Sequence, residues 1–246
     1  KEGTDYTADQ GWTDSDKIRF RKGRPEKIGG WAKFSTNTFQ GVCRSLMTWA
    51  SLGATKHTGV GTNLKFYITE GIKFNDVTPI RATTSAGDVT FSASNGSSTI
   101  TITDTSHGAN ANDFVTFSDA ATLGGTIVAS VLNQEYQIAS ILTVNTYTIV
   151  AKDTSGDTVT ANASDSGNGG SSTVGAYQIN TGLNTFVQST GWGVNTWGSG
   201  GFGSVSAITP GSQLRLFSQD NFGEDLLFNV RGGGVYSSDL SAGLAS

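Results

Sequence analysis

The chain has 246 residues, a formal net charge of −4, 33 glycines, 3 prolines and only 15% charged residues. Abundant Thr, Ser and Gly, without a long Leu/Ala/Glu/Lys repeat, disfavour a helical protein and favour an all-β protein long enough to build its own core. The single cysteine, Cys43, excludes an internal disulfide and a cysteine-based metal site, and because no apolar run approaches about 18 residues we expect a soluble chain with no membrane anchor.

Residues 1–30 are predicted to form an N-terminal arm with one strand. Apolar and basic side chains alternate in the run Ile18-Arg19-Phe20-Arg21, which predicts a strand with Ile18 and Phe20 on one side. Arg24-Pro25 is expected to end that strand, because proline cannot donate to a ladder. The arm could wrap a neighbouring subunit, or its strand could complete the local sheet, and the sequence leaves both open.

Charge is distributed unevenly along the chain. The segment from Lys17 to Arg81 holds twelve basic and three acidic residues, a net +9, whereas residues 82–246 hold three basic and twelve acidic residues, a net −9. The densest basic cluster consists of Lys17, Arg19, Arg21, Lys22, Arg24 and Lys27. Such a cluster contacts either nucleic acid or an acidic protein surface. Because it lacks the aromatic residues that stack on single-stranded bases, we favour an assembly interface over DNA.

Residues 31–82 contain the densest run of strand signals and are predicted to form one propeller-like blade. The predicted strands are Leu46–Ala50, His57–Gly61, Leu64–Thr69 and Ile72–Thr78, with a turn at Glu70-Gly71 and an end at Pro79. Four antiparallel strands in about 35 residues are typical of a β-propeller blade. A single blade cannot bury both of its faces, so this one requires neighbours.

Residues 83–176 have a different composition and are predicted to be an inserted β module. Their strand-like runs are Val89–Ala93, Thr99–Thr103, Phe114–Phe117, Tyr136–Ile141, Tyr147–Ala151 and Thr158–Ala161, separated by turn dipeptides such as Asn95-Gly96. The alternation around Ile100 and Ile102 predicts a small independent β sandwich or barrel. The ends of the module, Thr83–Ser85 and Gly167–Ser172, are linker-like.

Residues 177–246 are predicted to continue the propeller-like body. Trp192, Trp197 and Phe202 recur every five residues beside glycines. These rings could stack on sugars or bases, or they could pack in the hydrophobic core while the neighbouring glycines permit tight turns. Further strands are predicted at Leu214–Phe217 and Asp225–Val230, with a turn at Gln219–Asn221 between them and a hairpin turn at Gly232–Gly234.

Side chains suited to catalysis or metal binding are few. His57 and His107 lie in separate predicted modules, which disfavours a histidine-based catalytic or metal site; we expect His57 to cap a strand and His107 to lie in a turn. Asp220, Glu224 and Asp225 could bind calcium or form a glycosidase pair. Their spacing fits no calcium loop, and a turn in which Asp220 bonds its own backbone is favoured. We therefore expect no enzymatic activity, metal or cofactor.

Three segments resemble tail structural proteins of tailed bacteriophages. They are DKIRFRKGRPEKIGGW at 16–31, NLKFYITEGIKFNDVTPIR at 63–81 and LRLFSQDNFGEDLLFNVRGGGVYSSDL at 214–240, in the order that this group uses. They are similar to the nozzle, or tail tubular, proteins of short-tailed phages and to their packaged-DNA stabilisation relatives. The runs at 104–120 and 135–152 resemble a compact β module that is inserted into many phage structural proteins.

The resemblance implies a non-enzymatic virion component, assembled in the host cytoplasm as a homo-oligomeric ring at the distal tail. Its implied partners are other tail proteins, such as the adaptor and fibres, and DNA held non-specifically in the ring lumen, with the inserted module decorating the ring. These proteins are usually longer, so further blades would come from other chains or from residues beyond this sequence. One alternative is a receptor- or glycan-binding tail protein that uses Trp192, Trp197 and Phe202; another is a polysaccharide-degrading enzyme that uses Asp220 and Glu224.

Overall fold

The computed structural model describes residues 16–30, 32–33, 35–181 and 216–240. Two compact units divide the chain, one ending at Thr36 and the other beginning at Asn37. The described residues form antiparallel sheets and a single short helix, α1 (Ala129–Leu132). The prediction of an all-β fold, with a partial propeller-like body and an inserted β sandwich or barrel, is therefore confirmed. The described ranges contain no apolar helix of membrane-spanning length.

The first unit contains a two-stranded antiparallel hairpin of β1 (Ile18–Arg21) and β2 (Arg24–Lys27). The expectation that Arg24-Pro25 ends the strand was wrong. The chain turns earlier, at Lys22-Gly23, where both φ angles are positive (49° and 75°), as in a type I′ turn. Arg21 and Arg24 close this turn as a hydrogen-bonded pair, so Phe20 and Pro25 form the next, non-bonded pair. Proline fits there because its missing N–H would point away from β1.

The second unit begins with the predicted blade. Its strands are β3 (Cys43–Ala50), β4 (Lys56–Thr62), β5 (Phe66–Glu70) and β6 (Lys73–Asp76), in the sheet order β3-β4-β5-β6. This confirms the predicted four-stranded unit and its turn at Gly71, where φ is 60°. Strand β5 is buried on both faces, because both Ile68 and its neighbour Tyr67 are almost inaccessible. The blade therefore has neighbours on both sides.

The inserted module is a sandwich of two sheets. The first sheet has the order β11-β10-β15-β7, with strands β7 (Ile80–Thr83), β10 (Phe114–Ser118), β11 (Glu135–Gln137) and β15 (Val174–Gln178). The second sheet has the order β12-β13-β9-β8-β14, with strands β8 (Thr90–Ala93), β9 (Thr99–Thr103), β12 (Ser140–Thr143), β13 (Thr146–Val150) and β14 (Asp165–Asn168). Both sheets contribute to one core, which includes Phe91, Ile100 and Ile102 from the second sheet and Phe117 from the first.

Several strand predictions within the module need correction. The predicted strand Tyr136–Ile141 is two strands, β11 and β12, which belong to different sheets. The run Thr158–Ala161 makes only an isolated bridge, in which Thr158 pairs with Lys152. The residues expected to be linkers partly belong to strands, because Thr83 ends β7. Strand β7 pairs with β15, so the module is entered and left on neighbouring strands of one sheet.

A three-stranded meander follows the described part of the module. It consists of β16 (Phe217–Phe222), β17 (Asp225–Val230) and β18 (Val235–Ser238), in that order. The turn expected at Gln219–Asn221 lies later, at Gly223-Glu224, because Gly223 takes the positive φ of 67° that a tight turn requires. The predicted hairpin turn at Gly232–Gly234 is confirmed, with a φ of 76° at Gly232.

The three-stranded sheet packs face to face against the blade. The ring of Phe66 on β5 stacks on that of Phe228 on β17, with centroids 4.0 Å apart and planes within 2°. Strand β4 has glycine where this contact is tightest, because a Cβ on Gly61 would lie 2.5 Å from the Phe217 ring and one on Gly59 would strike Gln219. The absence of a side chain at these two positions lets the sheets approach as successive propeller blades do.

Candidate functional site

All six residues of the predicted basic cluster lie in the 16–30 segment, and all six are exposed. On one face of the hairpin, Arg19 forms an ion pair with Glu26 across the strands at 3.3 Å. On the same face, Arg21 lies directly opposite Arg24, and neither has an acidic partner among the described residues. Like charges at opposed positions are destabilising by a few tenths of a kcal/mol. Lys22 lies in the turn between these two arginines and adds a third positive charge to the turn end of the hairpin.

The other face of the hairpin is largely apolar. The register places Ile18 opposite Lys27 and Phe20 opposite Pro25, so the two apolar residues of β1 share a face with the proline. About half of the Phe20 surface remains accessible. A two-stranded hairpin is marginally stable alone in water. A basic turn joined to an exposed apolar face is suited to docking against an acidic, partly apolar surface.

A buried lysine joins the blade to the inserted module. Lys65, just before β5, is 2% exposed, and its Nζ lies 2.5 Å from Asp76 Oδ2 of the blade and 2.5 Å from Glu135 Oε1 of the module. The Nζ also lies 4.5 Å from the centre of the Phe114 ring. Glu135 accepts a second hydrogen bond from Gln178 Nε2 at 2.7 Å. Residues from four segments therefore meet at one ammonium group, and no local sequence pattern predicts this cluster.

A second polar network lies inside the module. Tyr177 donates its hydroxyl to Asp104 at 2.5 Å and also bonds the Tyr147 hydroxyl at 2.9 Å. Burial raises the pKa of both tyrosines well above their usual value. The guanidinium of Arg81 lies over the Tyr177 ring and donates to the carbonyl of His107. The network satisfies buried polar groups between the two sheets of the sandwich, which indicates a structural role.

The two histidines have structural surroundings. His57 lies within β4, where its ring is buried against Trp49 and its Nδ1 is 3.3 Å from the Thr69 carbonyl. His107 follows β9 in a turn, as predicted; its Nδ1 accepts from the Ala109 N–H, so Nε2 carries the proton that faces the Thr143 carbonyl. His57 is thus a strand residue rather than a cap.

The three carboxylates near β16 and β17 also bond to the backbone. Asp220 accepts from the next residue's N–H at 2.9 Å, as predicted, although it lies within β16 rather than in a turn. Glu224 accepts from the Leu52 N–H at 2.5 Å, and Asp225 accepts from the Leu240 N–H at 3.1 Å. Within the described ranges, no group of three His, Cys, Asp or Glu residues is placed to hold a metal ion.

The aromatic repeat Trp192, Trp197 and Phe202 lies outside the described residues. Its two interpretations, ligand stacking and core packing, therefore both stay predictions.

The described residues define an all-β protein with two packed propeller-like sheets, an inserted sandwich and a basic hairpin. No protein-family model and no curated protein matches the chain. Among solved structures, the chain is similar to the phage phi92 endosialidase, with 19% sequence identity and a TM-score of 0.29. That match covers 55% of this chain and 17% of the endosialidase chain. At this level the likeness assigns neither a fold nor an activity.

Proposed function

We propose that the chain is a non-enzymatic structural subunit of a bacteriophage tail, a nozzle- or hub-like component that assembles into a ring around the DNA exit channel. The observation that carries the proposal is the pairing of the blade with the β16–β18 sheet. Two phage-like segments, 63–81 and 214–240, contribute to these two sheets, although the whole insertion separates them in the sequence. Their packing supports the propeller body that the resemblance implies.

The basic hairpin supports the assembly part of the proposal. Arg21 and Arg24 oppose one another without an acidic partner in the described ranges, so an anionic partner would relieve their repulsion. Residues 82–246 carry a net charge of −9, which gives a neighbouring copy of the chain a complementary surface. In this proposal the hairpin of one subunit docks on the acidic part of the next, and DNA in the lumen is held only by weak, sequence-independent contacts.

Electron microscopy of intact particles with a subunit-specific label tests the proposal. A closed ring of this chain on the tail axis is the expected result. Copies on peripheral fibres would refute the nozzle role and favour the receptor- or glycan-binding alternative. That alternative would then require loss of saccharide binding in Trp197→Ala with assembly intact.

Titration of the purified chain with duplex DNA at increasing salt separates the two roles of the hairpin. If the hairpin serves assembly, substituting its arginines should weaken self-association while leaving DNA affinity low at every salt concentration. A tight DNA complex whose affinity falls steeply with salt would instead assign the hairpin to nucleic acid.

A further inference from the structure

We propose that Lys65 and Asp76 condense spontaneously into an intramolecular amide bond, with Glu135 as the residue that transfers the protons. The observation that motivates this is a lysine Nζ in hydrogen-bond contact with two carboxylates at once, 2.5 Å from each. The Lys65 side chain is 2% exposed, whereas the Asp76 and Glu135 side chains are 28% and 31% exposed. The ammonium is thus held away from solvent against its reaction partner.

The two oxygens of Asp76 have different surroundings, which assigns them different roles. Oδ2 faces the lysine Nζ, whereas Oδ1 accepts from the Thr78 hydroxyl at 2.6 Å and from the Thr78 N–H at 3.0 Å. If Nζ attacks Cγ, negative charge develops on an oxygen of the tetrahedral intermediate. Two donors already aimed at Oδ1 would stabilise that charge, as in an oxyanion hole. Oδ2 is then the leaving oxygen.

Glu135 is placed to move the protons. Its Oε1 lies 2.5 Å from Nζ, and Gln178 Nε2 holds the same oxygen from the other side at 2.7 Å. A proton passed from the ammonium to Glu135 leaves a neutral amine, which is the nucleophilic form of lysine. Glu135 can then deliver this proton to Oδ2, and after the attack it can take a second proton from Nζ and pass it to the same oxygen, which departs as water.

The reaction balances without an oxidant or an added reactant. The Nζ–Cγ bond forms and the Cγ–Oδ2 bond breaks. Of the three ammonium protons, one stays on the amide nitrogen and two leave with Oδ2 as a water molecule. Glu135 returns to its initial ionisation state, and the lysine and aspartate charges are lost together. Burial favours this change, because a neutral amide replaces an ion pair that is costly to desolvate.

The surroundings of Lys65 favour the condensation over hydrolysis. Phe114 covers Nζ at 4.5 Å, and the lysine backbone N–H is fixed to the Thr62 hydroxyl at 2.8 Å. Both reacting residues flank the β5–β6 hairpin, so the folded chain holds them together in a way that the unfolded chain does not. The bond would tie the blade to itself directly beneath the module that supplies Glu135.

Mass spectrometry of the purified, fully denatured chain is the decisive test. The expected mass is lower than the sequence mass by one water molecule. Trypsin should fail to cut after Lys65 and should release residues 57–73 joined to residues 74–81 as one branched peptide. An intact mass equal to the sequence mass, with normal cleavage after Lys65, would overturn the proposal, and so would a water loss that maps elsewhere.

Three variants attribute the bond to its residues. Lys65→Arg keeps the charge but cannot form the amide, so it should show the full sequence mass. Glu135→Gln keeps the oxygen that accepts from Gln178 but cannot relay protons, so bond formation should slow by roughly 100-fold. Glu70→Gln, at an exposed glutamate on the same blade, is the matched control and should react like the unsubstituted chain.

Circular dichroism establishes that each variant is folded, so that a missing bond is not mistaken for a missing fold. Equal rates in the Glu135→Gln and Glu70→Gln variants would refute the role of Glu135. Formation of the branched peptide in the Lys65→Arg variant would refute the assignment to Lys65.

Discussion

Gly61→Ala tests whether the propeller-like body depends on the close approach of its two sheets. The new Cβ would lie 2.5, 2.7 and 2.9 Å from three atoms of Phe217, whereas ordinary contacts begin near 3.4 Å. The ring would therefore have to retreat by about 1 Å. It has little freedom to do so, because it is 6% exposed and its centroid lies 5.0 Å from that of Phe66, which itself stacks on Phe228. Overpacking of this kind costs about 1–3 kcal/mol.

Gly53→Ala is the matched control. Gly53 lies in the exposed loop between β3 and β4, where an added Cβ would meet nothing closer than the Ser51 hydroxyl at 3.6 Å. Both substitutions reduce the conformational entropy of the unfolded chain similarly, by roughly 0.4–1 kcal/mol. The difference between the two free energies of unfolding therefore isolates the clash with Phe217.

Urea unfolding monitored by hydrogen exchange at the β4 and β5 amides measures the difference between the two free energies of unfolding. These amides report on the interface between the sheets rather than on the inserted module. With an m-value of about 2 kcal/mol/M, the Gly61→Ala midpoint should fall about 0.5–1.5 M below that of Gly53→Ala. Equal midpoints would refute the close packing of the β16–β18 sheet on the blade. They would also remove the main structural support for a propeller body.

Three further predictions concern other parts of the chain. Burial raises the pKa of the Tyr67 hydroxyl to about 12, so the folded chain keeps the hydroxyl proton at pH values where the unfolded chain has lost it. The free energy of unfolding, measured by urea titration at each pH, should therefore fall between about pH 10 and pH 12. It should fall less in Tyr67→Phe. Arg24→Glu places a negative charge opposite Arg21, which should stabilise the hairpin by about 0.2–1 kcal/mol. Because the basic docking surface is lost, sedimentation should nevertheless show weaker self-association. Unchanged assembly would contradict the docking proposal. Glu224→Ala should lower the free energy of unfolding by about 0.5–1.5 kcal/mol in thermal unfolding, because the Leu52 N–H loses its acceptor. Glu224→Gln keeps an accepting oxygen and should cost less. Polysaccharide hydrolysis that Glu224→Gln abolishes would instead support the enzyme alternative.

Local sequence patterns predicted the strands whose successive side chains alternate between a buried and a more exposed face. The blade was found from short apolar runs and from the turn at Gly71, and β9 was predicted with its observed bounds, Thr99–Thr103. Turns were harder to place. Asp220 and Asn221 are typical turn residues, yet they extend β16 because Gly223 satisfies the turn's demand for positive φ. The division of Tyr136–Ile141 between two sheets was equally hidden, because both strands belong to one apolar run.

The contacts that unite the chain join residues too distant in sequence for any local pattern. Lys65 and Glu135 are 70 residues apart, and each looks like an ordinary surface charge in its own segment. The Trp49 indole likewise donates to the Glu224 carbonyl across 175 residues and ties β3 to the last sheet. Periodicity shows which residues face inward but not which sheet they meet. The candidate sites differ for the same reason: the basic hairpin is visible as a cluster of charges, whereas the lysine site exists only after folding.

Lys65 helps to explain how the inserted module is attached to the propeller-like body. The chain leaves the blade at β7 and returns on β15, two neighbouring strands, so the backbone connection alone resembles a two-stranded stalk. Lys65 adds a side-chain contact to that stalk, because its Nζ bonds both Asp76 of the blade and Glu135 of the module. Before the proposed amide forms, removing one member of this buried ion-pair cluster should cost about 3–5 kcal/mol, far more than an exposed pair contributes. The module is therefore held to the blade by this side-chain contact as well as by its two backbone connections.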